Sequence, residues 1–270
     1  EHEKWDNVKD KELIIKFSVE DNVKEISCIK LNERYKLPKF YLYHMAKVQD
    51  FYLEFLKIPR EKFRFRELDE KERAFYNKIH FDVEVMLETL NGFKEIAGIH
   101  YRADHDLKGH MDVSGKNLEV FYDGKKILPH VLELSFGVDR NVWALLDIFY
   151  SVGKEGSMFK FPADLAPVQI AVLPLVNKDG MQEKSQEIYD NLKEEFSSYF
   201  DSSGSIGRRY ARQDEIGTPL CITIDGQTNK DETITIRDRD SMSQIRVKIG
   251  NLREILRRLI NKGLQFNELK

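Results

Sequence analysis

Glu133, Ser135 and Arg140 are three polar residues set inside an otherwise apolar stretch, Pro129 to Ile148, that reads PHVLELSFGVDRNVWALLDI. Val131 to Phe136 alternates apolar residues with Glu133 and Ser135, the period of a strand with one face toward a pocket. Gly137 follows, where the chain must turn. From Val138 the period lengthens: Val138, Val142, Leu145, Leu146 and Phe149 share one helical face, and Asp139 stands near the helix start. Arg140 falls in the first helical turn, where a cation gains nothing from the helix dipole. A cation placed there needs another partner, such as a bound anion. The plainer reading of an isolated ExSxGxxR is a buried strand and helix with a salt-bridged Glu–Arg pair.

Other stretches carry the same residue types with weaker spacing. Arg102 to His110 (RADHDLKGH) gathers two histidines and two aspartates, but His105 and His110 are five apart and diverge on a helix, so no metal site is expected. Gly204 to Arg209 (GSIGRR) looks like a phosphate-cradling loop, yet it lacks both the GxGxxG and the Walker spacing. TIRDRDSMSQIR sets Arg237, Asp238, Arg239 and Arg246 around a strand end, groups that can hydrogen-bond unstacked bases or form surface salt bridges.

The elements that position these groups read as two domains. Glu12–Phe17 and Val23–Ile29 are predicted strands, Leu37–Lys57 a helix ended by Pro59, and Phe63–Glu67 a short strand with Arg64 and Arg66 on one side. Strands within Ala74–Leu90 and Gly92–Gly98 continue an antiparallel sheet across the Asn91-Gly92 turn, and a helix begins near Asp104. The glycine-containing join Ser151–Phe159 marks the boundary, giving domains 1–158 and 159–270. Beyond it, Ala166–Leu175 is a central strand and Gln182–Tyr199 a helix. Leu220–Asp225, Thr233–Arg237 and Gln244–Ile249 are strands, and Leu252–Ile260 is a closing helix, together a compact α/β sandwich.

Composition narrows the class. Hydrophobic residues make up 41% and charged residues 33% of the 270, as in a globular protein. No run approaches the roughly 20 apolar residues needed to cross a bilayer, so no membrane partner is expected. With 43 basic against 46 acidic residues there is no generic polyanion-binding face, although Arg208, Arg209 and Arg212 form a local cluster. Cys28 and Cys221, the two cysteines, sit in apolar strand-like settings and give no disulfide framework, which points to a reducing cytoplasm. The first residue is Glu1 rather than Met, so an internal piece of a longer chain is expected.

The ExSxGxxR stretch between apolar strand and apolar helix resembles motif 3 of the class II aminoacyl-tRNA synthetases. The surrounding text resembles the archaeal and eukaryotic type of glycyl-tRNA synthetase. FRFRELDEKERAFY, GFKEIAGIHYRADHDLKGH, PHVLELSFGVDR, FPADLAPVQIAVLPL, DSSGSIGRRYARQDEIGTPLCITID and TITIRDRDSMSQIRV carry the match in one order from Arg64 onward. The resemblance implies an α/β (α+β) fold: part of an antiparallel-sheet catalytic domain, then a compact mixed-sheet anticodon-binding domain. It implies ligation of glycine to tRNA(Gly) through a glycyl-adenylate, with ATP and Mg²⁺ as co-substrate, no tightly bound cofactor, and a homodimeric complete enzyme.

The resemblance also assigns residues. Glu72, Glu133, Ser135 and Arg102 fall at the glycine site, where carboxylates hold the ammonium and a wall must exclude any side chain. Arg140 corresponds to the arginine that clamps the γ-phosphate, a task suited to a bidentate guanidinium, and Arg140 and Glu133 are the catalytic candidates. Glu119 falls about where related enzymes help to hold Mg²⁺ on ATP. Arg237, Asp238, Arg239 and Arg246 are the anticodon candidates.

The sequence departs from the family pattern in three ways. Motifs 1 and 2 are not found, Leu134 stands where the family usually has proline, and AFYNKIHFD replaces a more Cys/Trp-rich string. A C-terminal fragment with little activity alone is therefore expected. A non-catalytic synthetase-like tRNA-binding or accessory module is the alternative, against which the retention of Glu133, Ser135 and Arg140 speaks. Histidyl- or prolyl-type specificity would need a larger pocket and different text before motif 3.

Overall fold

The computed structural model describes residues 2–153, 156–261 and 265–269. It divides into two units, Glu1–Ile148 and Phe149–Lys270. The division falls after Ile148, ten residues before the boundary read from the sequence. The reason is that the hairpin of the join folds with the second unit. Lys154 and Glu155 in that join lie outside the described residues, as does Glu1.

In the first unit β1 (Glu12–Lys16), β2 (Val23–Ser27), α1 (Cys28–Tyr35) and α2 (Lys39–Asp50) come first. One π-helical turn, Phe51–Phe55, prolongs α2. Then follow β3 (Phe63–Glu67), β4 (Ile79–Leu87), β5 (Gly92–Ala103) and α3 (His105–Ser114). The short hairpin β6 (Val120–Tyr122) and β7 (Lys125–Ile127) precedes β8 (Val131–Phe136) and α4 (Val138–Phe149). Six strands form one sheet in the order β2-β1-β3-β4-β5-β8, with β1 and β3 parallel and every other pairing antiparallel.

Cys28 corrects the sequence reading. It opens α1 instead of continuing a strand, and it is fully buried there. Burial pushes its thiol up to about 12, so it is an inert core residue.

Alternation in β3, β4 and β5 gives the sheet two unlike faces. Phe63, Phe65, Phe81, Val83 and Ile99 are almost completely buried. Tyr41, Leu42 and Met45 of α2 are fully buried with them, and the Tyr41 hydroxyl donates to the Ile99 carbonyl at 2.7 Å. Each buried phenylalanine contributes about 2 kcal/mol of transfer free energy. The opposite face carries charged and polar residues at every second position. It is the face that holds the candidate site.

The second unit opens with the hairpin β9 (Tyr150–Gly153) and β10 (Gly156–Phe159). It continues with β11 (Ile170–Pro174), α5 (Met181–Leu192), β12 (Ser198–Phe200), α6 (Ile206–Ile216) and β13 (Leu220–Ile224). A single helical turn α7 (Thr228–Asp231), β14 (Thr233–Asp238), β15 (Gln244–Lys248) and α8 (Leu252–Ile260) complete it. Its mixed sheet runs β12-β11-β13-β14-β15, parallel across the first three strands and antiparallel after β13. Both central strands, β11 and β13, are buried along their whole length. The helix predicted to reach Tyr199 stops at Leu192, because Ser198–Phe200 pairs with β11 at the sheet edge.

Gly217 ends α6 at φ +88°, a left-handed conformation that glycine adopts without strain. A Cβ there would also lie 2.6 Å from Phe161 Cδ2 and 3.0 Å from the Phe159 carbonyl oxygen. Gly217→Ala is therefore expected to destabilise the second unit by about 2 kcal/mol, read as a lowered urea midpoint with unchanged slope. An unshifted midpoint would show that the α6–β13 corner is not held as described.

Candidate functional site

The polar face of the first sheet is built by register. Arg66 of β3 stands opposite Asp82 of β4, Asp82 opposite Gly98 of β5, and Gly98 opposite Ser135 of β8. One step along, His80 faces His100 and His100 faces Glu133. Directly opposed residues in antiparallel strands share a face. Glu133 and Ser135 therefore look out on the same surface as the Arg66–Asp82 row.

Charges on this face are tightly paired. Arg66 donates to Glu84 at 3.0 Å, to Asp82 at 3.2 Å and to Glu72 at 2.9 Å. Arg64 donates to the second Glu84 oxygen at 2.7 Å and lies over the Phe93 ring, 3.8 Å from its centroid. Glu72 thus joins the network through Arg66, from a turn outside the sheet. Arg102 donates from Nη1 to Glu133 Oε2 at 2.5 Å and from Nη2 to Asp106 at 2.7 Å. Its guanidinium also stacks over Tyr76 at 4.3 Å. The Glu133 hydrogen bond holds the Arg102 pKa above its ordinary value. Glu133 Oε1 carries no hydrogen bond among the described residues and remains free to accept one.

Arg140 lies at the other end of this face. Gly137 donates its N–H to the Ile96 carbonyl at 3.0 Å, which fixes the start of α4 against β5. Asn141 reinforces the corner through Ile96 O and Gly137 O, at 3.0 and 2.8 Å, and accepts from the buried Tyr52 hydroxyl at 2.8 Å. Arg140 Nη1 is 3.0 Å from the Glu95 carboxylate and 3.1 Å from the Glu95 carbonyl oxygen. Glu95 faces Glu84 in register, so it belongs to the polar face. It lies three residues from Gly98, about 10 Å along the strand. The guanidinium is more than half exposed and its one charged partner among the described residues is a surface carboxylate, which an anion can displace.

Glu119 makes only local contacts among the described residues. It precedes β6, accepts from Asn117 at 3.3 Å and has Lys126 at 4.0 Å. No hydrogen bond or ion pair joins it to Glu133, Ser135 or Arg140 among the described residues.

Two of the four anticodon candidates are corrected. Arg237 is buried, donates to both Asp214 oxygens at 2.8 and 2.9 Å, and lies over the Tyr210 ring at 4.8 Å. Arg239 is 3% exposed and donates to Gly217 O at 2.8 Å, Phe161 O at 3.1 Å and Asp240. Both guanidiniums hold α6 to the sheet, and their burial leaves little of either open to a base. Asp238 accepts from the Ser241 N–H and hydroxyl at 2.8 and 2.6 Å. Arg246, on β15, pairs with Asp225 and donates to Thr233 Oγ1 at 3.0 Å. Asp238 closes β14 and Arg246 lies in the middle of β15, and neither is buried.

Sequence reading missed Asn77, His80, Asp82, Glu84 and His100. The signal was present: FRFRE and IHFDVEV put a polar residue at every second position of strands whose other positions are apolar.

Comparison with known proteins places both units. Residues 169–259 match the family described as an anticodon binding domain. The chain is 34% identical over 345 residues to the glycine–tRNA ligase of Pyrococcus furiosus, covering 96% of this chain and 60% of that protein. It is 43% identical over 208 residues to the glycine–tRNA ligase of Clostridium acetobutylicum, covering 74% of this chain and 44% of that one. With that of Borrelia hermsii it shares 36% over 231 residues, covering 82% and 52%. A largely antiparallel sheet carrying ExSxGxxR, followed by an anticodon binding domain, is consistent with the architecture of a class II aminoacyl-tRNA synthetase. Within that class the chain is a relative of the glycine–tRNA ligases. It spans 60% of the length of the first of these relatives and about half of the other two. No helix among the described residues is long and apolar enough to cross a membrane.

Proposed function

We propose that this chain recognises glycine on its first unit and tRNA(Gly) on its second, as part of an enzyme that ligates the two. The observation that carries the proposal is the polar sheet face. Arg102 is bound to Glu133, which faces His100; Ser135 faces Gly98 on the same side; and Arg140 pairs with Glu95, three residues from Gly98 along β5. In this reading Glu133 Oε1 takes the substrate ammonium while Arg102 holds Oε2 and fixes the rotamer. Ser135 offers its hydroxyl beside it, and Glu72 adds negative potential through Arg66. Arg140 exchanges Glu95 for the γ-phosphate of ATP, which Mg²⁺ accompanies.

The reaction then follows from the substrates. A glycine carboxylate oxygen attacks the α-phosphorus of ATP, and pyrophosphate leaves. A ribose hydroxyl at the tRNA 3′ end next attacks the carbonyl carbon of glycyl-adenylate, and AMP leaves. The chain's contribution is orientation and charge stabilisation. Asp238 and Arg246 are the remaining candidates for anticodon contact. Cytoplasmic location and a homodimeric complete enzyme accompany this reading.

Arg140→Gln in an enzyme of the relatives' full length tests the division of labour. Its KM for ATP is expected to rise at least about tenfold, as for loss of a charge-assisted phosphate contact, with anticodon-dependent tRNA affinity unchanged. Equal loss of tRNA affinity would contradict the assignment of the two units. The 270-residue chain itself is expected to show little glycine-dependent pyrophosphate exchange; robust exchange would mean that it needs nothing beyond the groups described.

A further inference from the structure

Asn77, His80 and His100 play no part in the scheme above, yet they occupy the ground beside Glu133. Their rings and amide are closely fitted. His100 sits opposite both His80 and Glu133, and the two imidazole centroids are 4.0 Å apart. Asn77 is 4% exposed and places Nδ2 3.4 Å from His80 Nδ1 and 3.2 Å from His100 Nδ1.

Protons can be placed on this group by charge. His80 Nε2 lies 3.1 Å from Asp82 Oδ1, bent away from hydrogen-bond alignment. A ring nitrogen beside a carboxylate keeps its proton, so His80 Nδ1 is bare and accepts from Asn77. The second N–H of the same amide then serves His100 Nδ1, and the His100 proton also sits on Nε2. Burial, and then the nearness of His80, lowers the His100 pKa, which keeps that ring neutral. Its Nε2–H has no acceptor among the described residues. The ring leans over Gly98, since a Cβ built there would collide with Nε2 and lie 3.0 Å from Cε1. Gly98 is the residue that faces Ser135.

We propose that His100 closes the amino-acid site above Gly98, its ring leaving no room for a substrate Cβ and its Nε2–H donating to the substrate carboxylate, with Asn77 the positioning residue that fixes its tautomer. This rests on the glycine reading of the site and adds to it the residue that enforces the choice. A rigid ring braced by a second ring suits a site whose substrate has no side chain to grip. Discrimination must come from collision, which one methyl group against a fixed wall can make worth about 10- to 200-fold.

Calorimetric titration of the 270-residue chain with glycine and with L-alanine tests this. Wild type is expected to bind glycine at least about tenfold more tightly than alanine. In His100→Ala the preference is expected to fall below about threefold, with glycine itself weakened by the lost hydrogen bond. His100→Gln, which keeps an N–H donor, is expected to recover part of the glycine affinity. Asn77→Leu is expected to shift the His100 ring ¹⁵N signals from the Nε2–H pattern toward a mixture of tautomers. If His100→Ala binds glycine and still excludes alanine, the wall is elsewhere and this inference falls while the glycine reading stands. If wild type binds no glycine, that reading falls and the inference with it.

Discussion

Replacing Glu133 by glutamine in an enzyme of the relatives' length is expected to lower glycine-dependent pyrophosphate exchange by about 10²- to 10³-fold, the scale of losing one preorganised electrostatic partner. The carboxylate offers one oxygen to Arg102 at 2.5 Å and leaves the other for an ammonium. Glutamine keeps the shape and removes the charge. Two consequences follow: the ammonium loses its counter-ion, and Arg102 is left facing a neutral amide with only Asp106 to balance it. Most of the loss should appear in KM for glycine, with KM for ATP little changed, because Arg140 stands on Glu95 and not on Glu133. The ratio of the two KM values separates this from general unfolding. An exchange rate within twofold of wild type would remove Glu133 from the site.

Asp214→Ala carries the largest expected effect on stability. Arg237 is only 8% exposed along its side chain, and both of its Nη groups are committed to Asp214. Removing the carboxylate strands a guanidinium between Tyr210 and Cys221, in a setting where burial pushes the Cys221 thiol up to about 12. Breaking a buried pair from one side costs about 3–5 kcal/mol, and the second unit should unfold roughly 10–20 °C lower. The double change Asp214→Leu with Arg237→Met should restore much of this, since two apolar side chains of similar volume need no partner. Scanning calorimetry on the three proteins decides it. A melting point in Asp214→Ala within about 2 °C of wild type would show that the pair does not anchor α6, and Arg237 would again be open to RNA.

These two pairs show what a sequence discloses and what it withholds. Val131–Phe136 as a strand, Gly137 as the turn and a helix from Val138 are legible because period 2 gives way to period 3.6 at a glycine. Phe63–Glu67 and Leu252–Ile260 coincide with β3 and α8 for the same reason. The alternation of Ile26 and Cys28 hid the start of α1, whose buried positions Cys28 and Leu31 follow helical spacing only after the strand has ended. The run from Gln182 to Tyr199 contains no glycine or proline to stop a helix. What stops α5 is β11, which pairs with Ser198–Phe200, a tertiary cause with no local signature.

The site divides in the same way. Glu133 and Ser135 announce themselves as polar residues in apolar text, Arg102 enters only through the family resemblance, and the structure pairs Arg102 with Glu133. Arg237 and Arg239 announce themselves equally well and turn out to be internal, because a sequence does not say that Asp214 waits 23 residues earlier on α6. His80 and His100 are 20 residues apart and meet only through the register of β4 and β5.

The central claim is that an amino acid binds on the polar face between β5 and β8. Backbone amide shifts of the ¹⁵N-labelled 270-residue chain, followed while glycine is added, test it most directly. The account predicts saturating changes at Gly98, His100, Glu133 and Ser135, with β14 and β15 silent. Changes confined to other strands, or none at any glycine concentration, would contradict it.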